Sequence, residues 1–103
     1  MGRVNKIEYI TIASTGNATD FGDLTVARNY GQSASTSVRG VKAGGYDGSQ
    51  SNVIDYVTIA STGDATDFGN LTVARSQSFG GMSDTTRGVF GGGTNPDNVT
   101  IDF

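Results

Sequence analysis

At 103 residues, with 16 glycines, one proline and a hydrophobic share of 35%, the chain is at most one small domain, rich in turn formers and short of core. A formal net charge of −3 and seven scattered Lys and Arg residues exclude a basic stripe for a nucleic-acid backbone. The lack of Cys and His excludes a disulfide framework, a thiolate metal site and the commonest acid–base side chain, so no cofactor, metal or catalytic residue is expected.

The first element is residues 6–13, KIEYITIA, whose pattern recurs at 53–60 as VIDYVTIA. In that fuller copy Val53, Asp55, Val57 and Ile59 alternate with Ile54, Tyr56 and Thr58, which predicts a strand with two partly buried faces. A turn, STGN or STGD, follows each copy. Residues 68–74, FGNLTVA, then place Leu71 and Val73 on one face and Thr72 on the other, which predicts a second strand. Arg28 and Arg75 head small-residue segments, NYGQSASTS and SQSFGGMSD, that precede RGVKAGG and RGVFGGG. The glycine pairs Gly44-Gly45 and Gly92-Gly93 that close these last strands suit a bulge, positive φ or close backbone approach. No apolar run reaches signal-peptide or membrane-span length, so a soluble chain without a membrane partner is expected.

These elements are written twice. TIASTGNATDFGDLTVAR at 11–28 returns as TIASTGDATDFGNLTVAR at 58–75, with two letters changed. The marks Ile7-Glu8-Tyr9, Ile54-Asp55-Tyr56 and Ile101-Asp102-Phe103 are successive steps of 47, while RGVKAGG and RGVFGGG lie 48 apart. The odd residue is gained and lost in Gly, Ser and Asn-rich loops, as expected of true structural repeats. Repeat 1 runs over about 7–53 and repeat 2 over about 54–100, with 101–103 starting a third copy. Four short strands per repeat predict an all-β fold, and this spacing is that of a β-propeller blade.

The order of an Arg heading a small-residue strand (Arg28, Arg75), a Gly-Gly close (Gly44-Gly45, Gly92-Gly93), an acidic–aromatic pair in the next strand (Asp55-Tyr56) and a later aromatic (Phe21, Phe68) resembles the kelch-type propeller repeat. The wording is similar to tandem repeats of marine bacteriophage tail-associated and environmental proteins. The sequence departs from the eukaryotic kelch pattern: it has no Trp, and the Asp-Tyr order is reversed. The resemblance implies a two-blade chain that acts as a non-enzymatic structural or surface-recognition scaffold, virion-associated, with a glycan or surface receptor as the class of ligand. The alternative it leaves open is a hydrolase, lyase or lectin with its site in the central funnel.

Two blades leave faces uncovered, and association about a rotation axis covers them. A homotrimer of six blades is expected ahead of a tetramer of eight. Since the chain starts at a third strand, RGVFGGG of one copy is expected to pair with KIEYITIA of the next, and NVTIDF competes for the same place, so one end is expected to be displaced. Arg28 and Arg75 are the candidate ligand-facing residues, lining a channel mouth in one reading and bonding loop carbonyls in the other. Tyr9, Tyr56, Phe21 and Phe68 are structural aromatics. Tyr30, Phe79 and Met82 are expected to pack between blades, and Asp20, Asp23 and Asp67 to cap turns.

Overall fold

The computed structural model describes residues 3–76, 81–94 and 101–103. The chain is all-β, with antiparallel strands β1 (Lys6–Tyr9), β2 (Thr19–Asp23), β3 (Gln32–Ser35), β4 (Arg39–Ala43), β5 (Val53–Thr58), β6 (Thr66–Asn70), β7 (Met82–Ser83), β8 (Gly88–Gly91) and β9 (Ile101–Asp102). They form three sheets in chain order: β1-β2, β3-β4-β5-β6 and β7-β8-β9. The middle sheet is one complete four-stranded repeat, and the first and third are parts of the same unit.

Register makes the equivalence explicit. β1 pairs β2 with Ile7 opposite Gly22 and a shift after Ile7; β5 pairs β6 with Ile54 opposite Gly69 and the same shift after Ile54. β4 runs against β5 from Arg39↔Thr58 to Ala43↔Ile54. β9 joins β8 at the last two of those places, Phe90↔Asp102 and Gly91↔Ile101. The C-terminal segment expected to compete for the edge of β8 therefore takes it within the chain.

The glycine pairs behave as their sequence suggests. Gly44 and Gly45 have φ of 69° and 112°, and Gly92 and Gly93 have 73° and 100°. At Gly45 a Cβ would also collide with the Asn29 carbonyl, because Asn29 and Tyr46 exchange backbone bonds of 3.1 and 2.7 Å there. Gly45→Ala is expected to cost about 1–3 kcal/mol from backbone strain alone, read as a lower urea midpoint at unchanged slope; an unmoved midpoint would contradict this placement.

Two expectations shift. The strand foreseen at 68–74 ends at Asn70. Leu71 N–H still donates to Asn52 O at 2.7 Å, but Thr72 N–H turns to a carboxylate, Asp102 Oδ2 at 3.0 Å, and the chain leaves the sheet. Asp20, Asp23 and Asp67 lie within β2 and β6 and not in turns.

Ala43, Ile54, Leu71 and Phe90 form the core between the middle and third sheets, with Ala34 and Val41 against them. Here the inner strands also touch: Ser83 Oγ donates to Ser35 O at 2.6 Å, and Gln32 Nε2 donates to Gly91 O at 2.8 Å. Phe21 is buried apart from this cluster.

Candidate functional site

The most organised polar arrangement lies where one sheet hands over to the next. After β2, Leu24 N–H donates to Asn5 O and closes the ladder, so Thr25 must find another acceptor. It finds Asp55, placed on β5 at the register shift. Thr25 N–H donates to Asp55 Oδ2 at 3.0 Å, and Thr25 Oγ1 to Asp55 Oδ1 at 2.7 Å. Arg28, three residues on, donates from Nη1 to Asp55 Oδ2 at 3.0 Å, from Nε to Gly44 O at 2.8 Å and from Nη2 to Lys42 O at 3.2 Å. Both charged side chains are fully enclosed, at 0% and 1% exposure. A carboxylate thus holds the linker between sheets to the third strand of the next sheet, which makes Thr25, Arg28 and Asp55 a latch.

The latch is repeated. Thr72 N–H and Oγ1 donate to Asp102 at 3.0 and 2.6 Å. Arg75 Nη1 donates to Asp102 Oδ2 at 3.0 Å and Nη2 to Phe90 O at 3.0 Å. This copy is looser: Arg75 Nε is buried without a partner among the described residues, where the equivalent Nε of Arg28 reaches Gly44 O. Burial pushes the Asp102 carboxyl up, but the Thr72 hydroxyl and N–H and the Arg75 guanidinium outweigh it and hold its pKa below the usual carboxylate value.

Glu8 stands in β1 where Asp55 stands in β5, at the same register shift, and the 47-residue step places Asp102 equivalently in β9. Glu8 is exposed. One acid is therefore held by Arg28, one by Arg75, and one faces solvent.

Arg28 and Arg75, the candidate ligand-facing residues, are thereby relocated. At 4% and 2% exposure they offer no charge to solvent in this chain, and their donors go to carbonyls and carboxylates between sheets. Arg39 instead stacks on Tyr56 at 4.2 Å, and Arg87 on Phe103 at 4.8 Å, equivalent cation–π contacts in the two copies. The structural aromatics pair edge to face, Tyr9 on Phe21 at 6.1 Å and Tyr56 on Phe68 at 6.0 Å. Tyr30 and Met82, expected to be packed, are exposed, and Tyr30 holds a φ of 59°. Phe79 lies outside the described residues.

Two gaps flank the middle sheet. One, of about 860 Å³, lies towards the third sheet and is lined mainly by apolar groups such as Val41, Phe68 and Phe103. The other, of about 720 Å³, lies towards the first sheet and holds Lys42, whose pKa is lowered by burial and then by the Arg28 charge. Among the described residues no three acidic side chains converge as a metal site would need. The arrangement is built to join sheets. Sequence reasoning singled out the arginines and missed Asp55 and Asp102; the available signal was that each acid follows its Arg by 27 residues, Arg28 to Asp55 and Arg75 to Asp102, inside an otherwise apolar strand.

Comparison of the chain with protein-family models and with curated proteins returns no match.

Proposed function

We propose that the chain is a non-enzymatic assembly module, a kelch-like pair of blades that associates head to tail into a closed propeller, with six blades from three copies favoured over eight from four. β1 of one copy adds to β8 of another, so that β7-β8-β1-β2 becomes a hybrid sheet with the order of β3-β4-β5-β6.

The observation that carries this reading is the pairing of β8. Set on the β4–β5 register, β8 can meet an incoming β1 from Arg87 opposite the second copy's Thr11 to Gly91 opposite its Ile7, five places. β9 fills only two of them. The free edge of β1 is the complementary half, and unpaired strand edges recruit further strands. The exposed apolar surface supports the same reading. Ile10, Ile12, Phe68 and Phe103 are 61%, 94%, 59% and 79% exposed, apolar side chains that packing against a second copy would cover. Such a ring would present repeated loops around one axis, and its multivalency would suit weak recognition of repetitive surfaces such as glycans.

Light scattering behind size exclusion, over a dilution series, tests the reading. A discrete species of three chains is the expected result, four is the second choice, and a monomer at all concentrations would end the proposal.

A further inference from the structure

The two eighteen-residue copies differ in two columns, Asn17 against Asp64 and Asp23 against Asn70. In the sequence these look like independent changes. In the fold they are halves of one contact.

The turn after β5 lies along β2 of the preceding sheet. Gly63 N–H donates to Phe21 O at 2.8 Å and Ala65 N–H to Asp23 O at 2.8 Å. Between them, Asp23 N–H donates to Asp64 Oδ1 at 3.0 Å. The approach is close enough that a Cβ on Gly22 would collide with the Gly63 carbonyl. The turn covers the strand, and the effect shows on the repeated aromatic: Phe21 is 8% exposed, whereas its counterpart Phe68 on the uncovered β6 is 59% exposed.

The chain holds both halves of a second such contact, and they do not meet. Among the described residues no turn lies upon Phe68, Gly69 and Asn70 of β6, and a Cβ on Gly69 would meet nothing within 4 Å. At the other end of the molecule, the turn after β1 has the same fold as its counterpart: Ser14 N–H donates to Thr11 O at 3.1 Å, as Ser61 N–H does to Thr58 O at 3.1 Å. Residues 11–20 are exposed throughout.

We infer that the turn Ser14–Ala18 of a second copy seats on β6, with Asn17 Oδ1 taking the N–H of Asn70, Gly16 N–H reaching Phe68 O and Ala18 N–H reaching Asn70 O. This rests on the head-to-tail reading above and gives it a second docking surface, since the copy whose β1 joins β8 brings this turn to β6. The changed letters then sort by contact. The contact inside a chain unites Asp23 with Asp64, and the contact between copies unites Asn17 with Asn70. Two acids at the within-chain contact are held together by chain connectivity. Chains of net charge −3 that must find one another meet instead through two neutral amides, which removes like-charge repulsion from the encounter.

The test uses the lack of cysteine. In the Asn17→Cys/Asn70→Cys chain, mild oxidation is expected to give covalent multimers up to the mass of the assembled species. Asp23→Cys/Asp64→Cys is expected to cross-link within a single chain and serves as the geometric control. An assembled species by light scattering in which only the control pair cross-links overturns the docking inference and leaves self-association standing. A monomer by light scattering removes both. As a second reading independent of disulfide geometry, Asn17→Asp/Asn70→Asp is expected to weaken association by roughly two- to fivefold per contact at low salt, with recovery at high salt. Association indifferent to this exchange also overturns the inference.

Discussion

Asp55→Ala is expected to destabilise the chain by about 3–5 kcal/mol, a large part of the stability available to a domain this small. The reason is what the substitution strands. Arg28 is buried with its Nη1 on Asp55, and after truncation the guanidinium keeps only the carbonyls of Gly44 and Lys42. Thr25 loses the acceptor of both its N–H and its hydroxyl. The half-buried Lys42 ammonium lies close enough for Arg28 to lower its pKa, so the site would hold two cations and no anion. A double variant, Asp55→Leu with Arg28→Met, is expected to recover much of the loss, since a buried pair replaced by apolar groups of similar size is often neutral or better. Urea unfolding followed by circular dichroism decides: a single-variant loss under about 1 kcal/mol would mean the pair is hydrated in solution and the latch is weaker than its geometry.

The latch also shows where the sequence was readable. The repeat, its step of 47 and the alternation of VIDYVTIA locate β1, β5 and, by the third mark, β9, because these are local patterns with periods a linear chain displays. The paired glycines could be read for the same reason: a left-handed backbone needs glycine at that position, whatever lies around it. Asp55 could not be read this way. An acid in a strand is ordinarily the solvent-facing half of an alternation, and its burial here depends on a threonine and an arginine from the linker of the preceding sheet. The misplaced strand at 68–74 has the same origin. Leu71-Thr72-Val73 alternates as a strand should, but the Thr72 amide is claimed by the Asp102 side chain, a tertiary partner that overrides local pattern. The pairing of the two changed letters was hidden for a related reason. Asp23 and Asp64 are 41 residues apart and meet only when consecutive sheets stack.

Removing residues 101–103 is expected to lower the concentration at which copies associate by about tenfold or more, because β9 occupies the place that β1 of another copy would take. Its hold is concentrated in Asp102, which accepts from Thr72 N–H, Thr72 Oγ1 and Arg75 Nη1; with each bond contributing about 0.5–1.5 kcal/mol, the three together come to about 1.5–4.5 kcal/mol, at or above the roughly 1.4 kcal/mol that equals a factor of ten. In the proposed hybrid sheet the incoming strand would offer Glu8 to the same threonine and arginine, and five paired places against two. Asp102→Ala should shift association in the same direction by a smaller amount, since Ile101 and Phe103 remain. The pH dependence follows from the sign of the Asp102 shift. Its pKa in the folded chain is depressed, so the seat of β9 is at full strength above the ordinary carboxylate value near ~3.9 and is lost as pH falls through the lower, folded value. Protection of the Thr72 amide from hydrogen exchange should therefore persist through the ordinary carboxylate range near ~3.9 and fail only as pH falls further, through the lower folded value. A truncated chain that associates no more readily than the full one would show that β9 and an incoming β1 do not compete for β8, and the hybrid sheet would have to be given up even if larger assemblies form by another surface.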